Sequence, residues 1–273
     1  MPVDKIRVSG DSRIEYKTAT LNGHNYSYVL SQPKSGQFKA TVFLLPTALD
    51  TDEQGAGLAY RIALWHPELV SHLFTVCVPY APPMAENVSL EDFVRDKAPN
   101  FTYQLQFKSG ELEKVIRSKD DIRQFLLALY GGRTEAGELG IDTTKGVLLD
   151  KFGGLKLSRL LSEEELEFYT NEFARHGIHG PLNWYRTRDL NYEDELAILD
   201  RHIQVPTLFV QALRDQALPP HLGKSMPKQF PRLTVKQVDT SHWALWEKPE
   251  EVNEIIRSWL ADQSVAGGSF GKL

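Results

Sequence analysis

The spacing of the apolar segments is the feature that most constrains how this chain can fold. Residues 55–65 form a helical pattern that stops at His66-Pro67, and another helical pattern begins at Pro249. These patterns alternate with segments of strand length and composition at residues 41–45, 73–78, 206–211 and 233–238. Strands separated by helices predict a mostly parallel, doubly wound α/β sheet, and the first three segments predict strands covered on both faces.

The N-terminal part predicts an antiparallel hairpin at an edge of this sheet. Residues 13–20 and 25–31 have the composition of strands and flank Asn22-Gly23. Asparagine followed by glycine suits the two positive-φ positions of a tight hairpin turn.

A long segment between the second and third apolar runs predicts an inserted helical lid. Residues 83–194 contain charged helical patterns and no convincing strand. One predicted helix begins at Ser162, has Glu165 three residues on as in a capping box, and ends before Gly177. We therefore expect residues 1–82 and 195–273 to form one α/β core and residues 83–194 to form the lid.

Composition excludes several classes of function. The net charge of −5, with no cluster of Lys and Arg, argues against nucleic acid as a partner. No apolar stretch approaches the roughly 20 residues that a membrane span requires, so we expect a soluble protein with a small neutral substrate. The single cysteine, Cys77, and the absence of zinc-site spacing predict a reducing compartment with no metal and no cofactor.

The two ends of the chain bear on its location. Charges near Met1 stand where a signal peptide has an apolar run, which favours a cytoplasmic location. The last residues, Gly-Lys-Leu at 271–273, differ from the peroxisomal signal Ser-Lys-Leu at one position, so a peroxisomal location is the alternative. The sequence does not determine the oligomeric state, and a homodimer is possible.

Two residues near the predicted strand ends are candidates for catalysis. Asp215 follows the strand 206–211, and His242 lies between the strand 233–238 and the last helix. The carboxyl ends of parallel strands are where doubly wound proteins form their sites. An acid followed by a histidine, after successive strands, predicts a histidine general base that is oriented by a carboxylate.

Two tyrosine motifs in the lid carry a resemblance to a known family. Residues 180–186, Gly-Pro-Leu-Asn-Trp-Tyr-Arg, closely resemble the lid motif of soluble epoxide hydrolases in the α/β-hydrolase superfamily. Residues 101–107, Phe-Thr-Tyr-Gln-Leu-Gln-Phe, resemble the lid segment that carries their other active-site tyrosine. The resemblance covers most of residues 55–262 and implies an α/β-hydrolase fold with an inserted helical lid.

The resemblance also implies a reaction and its residues. Tyr103 and Tyr185 would donate hydrogen bonds to the oxygen of a hydrophobic epoxide, because a phenol stays protonated at neutral pH. A carboxylate would open the ring to form an alkyl-enzyme ester. His242, held by Asp215, would activate the water that hydrolyses this ester to a vicinal diol. By analogy the pathway would be fungal secondary metabolism, such as toxin biosynthesis.

The chain departs from the family around the nucleophile. The family has an aspartate directly before the helix at residue 55, where this chain has Glu53, one methylene longer. Two strand-helix units that precede the nucleophile in the family have no counterpart between residues 45 and 55. This shortens the predicted sheet, and we expect the strand 41–45 to fill the vacant place.

Other functions stay open on the sequence alone. The chain could be an inactive homologue that binds a small apolar ligand or a partner chain. An esterase or a haloalkane dehalogenase could use the same core, although no Gly-x-Ser-x-Gly motif is present and the tyrosine pair is not a dehalogenase feature. A thiol nucleophile is disfavoured, because Cys77 falls within the predicted buried strand 73–78.

Overall fold

The computed structural model describes residues 6–7, 10–32, 41–45 and 53–267. The side chain of Glu53 and residues 271–273, which carry the peroxisome-like ending, lie outside the described part. The chain divides into two compact units, one of residues 1–43 with 260–273 and one of residues 44–259.

The first unit contains the predicted hairpin. Strand β1 (Glu15–Leu21) pairs antiparallel with strand β2 (His24–Leu30). The turn between them has φ of 51° at Asn22 and 78° at Gly23, as a tight hairpin turn requires. The hairpin prediction is therefore confirmed, but its predicted place at an edge of the parallel sheet is wrong, because β1 and β2 form a separate two-stranded sheet among the described residues.

The second unit begins with a helix and a strand that contact each other. Helix α1 spans Glu53–Trp65 and so begins two residues before the predicted 55–65, and strand β3 spans Leu73–Val76, two residues shorter than the predicted 73–78. The buried hydroxyl of Tyr60 on the helix lies 2.7 Å from Thr75 Oγ1 and donates to the carbonyl of Val78 at 3.0 Å. Burial, the largest effect, raises the pKa of Tyr60, so this phenol stays a donor at any ordinary pH.

The segment that follows is mainly helical, as predicted. Its helices are α2 (Leu90–Asp96), α3 (Tyr103–Ser109), α4 (Glu111–Val115), α5 (Lys119–Leu129), α6 (Glu163–His176), α7 (His179–Leu182) and α8 (Arg188–Glu195). Residues 83–194 also contain a pair of two-residue strands, β4 (Ile141–Asp142) and β5 (Gly146–Val147), and isolated bridges from Arg133 to Leu139 and Lys156, where no strand was predicted. Ser162 and Glu165 form the predicted capping box at α6.

The remaining elements complete the sheet. Strands β6 (Thr207–Ala212) and β7 (Leu233–Val238) are followed by helices α9 (Ala244–Glu247) and α10 (Pro249–Gly267). Strand β6 lies between β3 and β7, parallel to both, and all six of its residues are buried. The prediction of a mostly parallel sheet is confirmed for the described strands.

The prediction of a buried strand at residues 41–45 is wrong. These residues form no strand, and the side chains of Val42, Phe43 and Leu44 are 55%, 82% and 71% exposed. An apolar run becomes a strand only when neighbouring backbones satisfy its N–H and C=O groups. Among the described residues, β3 pairs with β6 alone and is therefore an edge strand. The expectation that residues 41–45 take the place of the missing nucleophile strand is also wrong.

The second unit contains two buried apolar clusters. One joins α1 and the sheet, and its largest fully buried members are Tyr60, Leu64, Ile198, Phe209 and Met226. The other lies among the lid helices and includes both Tyr103 and Tyr185. Trp243, which directly follows His242, and Trp246, four residues after His242, pack against this second cluster.

Candidate active site

The acid and the histidine predicted from the sequence meet after the ends of β6 and β7. His242 Nδ1 lies 2.7 Å from Asp215 Oδ2, and the two residues are 9% and 4% exposed. The other carboxylate oxygen of Asp215 accepts from the backbone N–H of Leu218 at 2.8 Å. Because a carboxylate oxygen accepts hydrogen bonds, the contact with Asp215 Oδ2 favours the His242 tautomer that carries its proton on Nδ1, in which Nε2 is the basic nitrogen.

Backbone hydrogen bonds between the two loops fix this pair. Leu213 donates to the carbonyl of Val238, and Arg214 donates to the carbonyl of Thr240, both at 2.9 Å. The hydroxyl of Ser241 hydrogen-bonds Glu247 on α9. The dyad is therefore held by backbone pairing, and its geometry does not depend on the two side chains alone.

Cys77 occupies a position that the sequence does not reveal. It follows the last residue of β3 and has φ of +64°, which is uncommon for a residue other than glycine. Its thiol donates to the backbone carbonyl of His242 at 3.2 Å. The expectation that Cys77 lies within a strand is wrong, because β3 ends at Val76 and the backbone turn that follows directs the thiol to the dyad.

The two lid tyrosines lie together. Tyr103 begins α3 and Tyr185 lies in the 3-10 turn Asn183–Arg186, and both are buried. Their ring centroids are 6.4 Å apart in an edge-to-face arrangement. Phe107 makes edge-to-face contacts with both rings, at 5.4 and 5.1 Å. The aromatic packing thus fixes the two phenols relative to each other.

Arg186 joins the two elements that carry these tyrosines. Its guanidinium donates to the carbonyls of Phe107 and Lys108 at the end of α3, at 3.3 and 3.0 Å. It also contacts Asn183 in its own turn at 2.9 Å and Glu113 on α4 at 2.5 Å. Sequence reasoning missed this role, although Arg186 directly follows Tyr185 in the lid motif.

We expect Arg186→Met to loosen the tyrosine pair and to destabilise the fold. Loss of this network leaves the partly buried Glu113 without its cation, which should lower the free energy of unfolding by about 1–3 kcal/mol. Urea denaturation measures this loss. Arg175→Met, which removes only an exposed ion pair with Glu172, should change stability by about 0–1 kcal/mol. Equal losses in the two variants would contradict a special role for Arg186.

The same network predicts a pH dependence. Burial raises the pKa of Glu113, but hydrogen bonds from Arg186 and His179 outweigh burial and leave this pKa below its usual value. A lowered folded-state pKa stabilises the fold above the unfolded-state pKa, about 4.3, and this stabilisation is lost as pH falls through the folded-state value. Denaturation at several pH values should show this loss in the wild type and a smaller loss in Arg186→Met.

A pocket of about 700 Å³ brings the lid and the dyad together. His242, Tyr103, Phe107 and Trp243 all line it. Trp243 stacks on Tyr130 of the lid at 4.5 Å, and the Asn100 side chain donates to the carbonyl of Ala217, just after Asp215. The lid is therefore attached to both loops that carry the dyad.

The charged side chains that line the pocket are mostly positive. Its described lining includes the cations Arg133, Lys156, Arg159 and Arg214, and the carboxylate of Glu247. Glu247 also lies 3.7 Å from Arg214, which offsets its charge. Arg214 also pairs with Asp239 at 2.8 Å, and Lys156 pairs with Glu135 at 3.6 Å, so carboxylates outside the lining offset part of its positive charge.

The structure brings together four of the five predicted site residues. Asp215 contacts His242, His242 and Tyr103 line one pocket, and Tyr185 packs on Tyr103. Glu53 is the first residue of α1, but its side chain lies outside the described part. Its place relative to the dyad stays a prediction.

A carboxylate–histidine pair beyond parallel strand ends, beneath a helical lid, defines the α/β-hydrolase fold class. No family model matches the chain. It is 38% identical over 256 residues to the epoxide hydrolase srdG of Neurospora crassa, covering 90% of this chain and 72% of that one. The chain belongs to the epoxide hydrolase family.

Two further comparisons agree with this assignment. The chain is 36% identical over 221 residues to bifunctional epoxide hydrolase 2 of Rattus norvegicus, covering 79% of this chain and 39% of that longer protein. An epoxide hydrolase structure from an endophytic Streptomyces matches with a TM-score of 0.64 and 28% identity, over 77% of this chain and 66% of that one.

Proposed function

We propose that this chain hydrolyses a hydrophobic epoxide to a vicinal diol through an alkyl-enzyme ester. Family membership supports the reaction. The observation that carries it is that His242, which Asp215 contacts at 2.7 Å, and Tyr103, on which Tyr185 packs, line one largely apolar pocket. Each group has a role in the two chemical steps.

The tyrosines would activate the epoxide. As the ring opens, its oxygen gains negative charge, and two phenol donors held in place can stabilise that charge without a metal ion. Tyr103 lines the pocket. Tyr185 packs against Tyr103 and is held there by Phe107 and by the hydrogen bonds of Arg186. One phenol then transfers its proton to the developing alkoxide, which becomes the first hydroxyl of the diol.

A carboxylate would open the ring and His242 would complete the reaction. The carboxylate oxygen attacks an epoxide carbon, the carbon–oxygen bond of the ring breaks, and an ester forms. His242 Nε2 then takes a proton from water, whose oxygen attacks the ester carbonyl. The ester bond breaks, the leaving alkoxide takes the proton back from the imidazolium to complete the diol, and the regenerated carboxylic acid returns a proton to the phenolate. The ionised Asp215 stabilises the imidazolium through its 2.7 Å contact with Nδ1. Glu53 is the carboxylate that we propose as the nucleophile.

Isotope labelling tests this route. With enzyme in excess over an aryl epoxide in H₂¹⁸O, the first-turnover diol should be unlabelled, because its new oxygen comes from the enzyme carboxylate. Glu53→Gln should form neither ester adduct nor diol, whereas Asp52→Asn, the matched control one residue earlier, should retain both. A labelled first-turnover diol, or an adduct that survives in Glu53→Gln, would contradict the proposed nucleophile.

Several further features belong to the same proposal. Residues 83–194 would act as the lid over a core of residues 1–82 and 195–273. No helix among the described residues has the length and apolar character needed to cross a membrane. A cytoplasmic location, the peroxisomal alternative, a homodimer and a place in fungal secondary metabolism remain proposals that depend on the sequence.

A further inference from the structure

The thiol of Cys77 forms a buried cluster of metal-ligating groups with the dyad. The Cys77 sulfur, a ring nitrogen of His242 and a carboxylate oxygen of Asp215 all lie within 4.8 Å of one another. The three residues are 2%, 9% and 4% exposed. They come from three separate segments, after β3, β7 and β6, so their spacing in the sequence gives no sign of this cluster.

This donor set suits a soft or borderline divalent ion. Zinc binds cysteine sulfur, histidine nitrogen and aspartate oxygen, and three protein ligands with one open position are typical of accessible zinc sites. With metal–ligand distances of about 2.0–2.3 Å, tetrahedral ligands lie about 3.3–3.8 Å apart. Donors within 4.8 Å of one another need to approach by up to about 1.5 Å, and the 2.7 Å contact between His242 Nδ1 and Asp215 Oδ2 needs to open by about 0.6 Å or more, to reach this geometry.

We infer that Cys77, His242 and Asp215 form an inhibitory binding site for Zn²⁺ and related thiophilic divalent ions. The thiol releases its proton when it ligates, and the imidazole ligates as the neutral base, so one proton leaves for each ion bound. The bound ion takes up a ring nitrogen of His242 and the Asp215 carboxylate oxygen that orients this ring and stabilises its protonated form. A metal-loaded chain therefore loses its general base, and a chelator restores it.

This inference goes beyond the proposed function, because binding requires only the three side chains and no turnover. Inhibition does rest on the proposed function. The two are distinguishable, since metal binding has a readout that is independent of diol formation.

Titration with Cd²⁺ tests the site directly. A cadmium–thiolate bond produces an ultraviolet charge-transfer band, and Cys77 is the only cysteine of the chain. The wild type should develop this band with saturation at one equivalent, and Cys77→Ser should not. His242→Gln and Asp215→Asn keep the thiol and should each weaken Cd²⁺ binding by about tenfold or more, because each removes a ligand.

A matched surface variant serves as the control. His66 and Glu68 form an exposed contact at 3.2 Å, so His66→Gln should leave the Cd²⁺ titration unchanged. In diol assays, Zn²⁺ should inhibit the wild type reversibly, and Cys77→Ser should need at least about tenfold more Zn²⁺ for the same inhibition.

Two results would overturn the inference. One is a folded wild type that develops no charge-transfer band with Cd²⁺. The other is equal Cd²⁺ affinity in the wild type, His242→Gln and Asp215→Asn, which would mean that the thiol binds metal alone. If Cys77→Ser does not fold, these two variants and the His66→Gln control still decide between the outcomes.

Discussion

His242→Gln should lower diol formation by about 10²–10⁴-fold while leaving the ring-opening step intact, because only ester hydrolysis needs the general base. Glutamine keeps a polar group near Asp215 but has no basic nitrogen to take a proton from water. The variant should therefore accumulate the alkyl-enzyme ester. Intact-protein mass spectrometry after incubation with an epoxide should show one added substrate mass in nearly all molecules.

His66→Gln is the control for this variant, because His66 is exposed and lies outside the pocket lining. It should form diol at the wild-type rate and accumulate no adduct. If His242→Gln retained wild-type diol formation, the assignment of His242 as the base would be wrong. If it lost both adduct and diol while remaining folded, His242 would act before or during ring opening.

The double variant Tyr103→Phe/Tyr185→Phe should slow ring opening by about 10²–10³-fold, the usual cost of losing preorganised donors to a developing negative charge. Both substitutions keep the aromatic packing around Phe107, so the lid cluster should stay folded. Because ring opening comes first, this variant should accumulate no ester. Rapid-quench measurement of adduct formation distinguishes it from His242→Gln.

Tyr192→Phe is a lid control, since the Tyr192 hydroxyl donates to the carbonyl of Ala85 and Tyr192 does not line the pocket. It should open the epoxide at the wild-type rate. A Tyr103→Phe/Tyr185→Phe chain that opened the epoxide as fast as Tyr192→Phe would exclude the phenols as electrophilic groups.

Features that depend on local patterns could be predicted from the sequence. The hairpin turn follows from Asn22-Gly23, and the start of α6 follows from the Ser162 capping box, because both depend on residues a few positions apart. The meeting of Asp215 and His242 follows from one topological rule, that parallel strands end at the same edge of a sheet.

Features that depend on the rest of the fold could not be predicted. Residues 41–45 have the composition of a buried strand, but that composition does not supply the neighbouring strands that would pair with it and cover it. Cys77 approaches His242 because the backbone turns to positive φ directly after β3, and no residue-type pattern marks that turn. The hydrogen bonds of Arg186 likewise could not be predicted, because they depend on how α3 and the turn that carries Tyr185 pack together in the fold.

Diol formation by this chain tests directly whether it is an epoxide hydrolase that works through an alkyl-enzyme ester. The purified wild type, shown to be folded by circular dichroism, would be given an aryl or fatty epoxide beside His242→Gln as the inactive control. We predict repeated turnover to diol by the wild type and a covalent adduct without turnover in the variant. A folded wild type that binds the epoxide but forms neither adduct nor diol would contradict this prediction and would favour a catalytically inactive ligand-binding homologue.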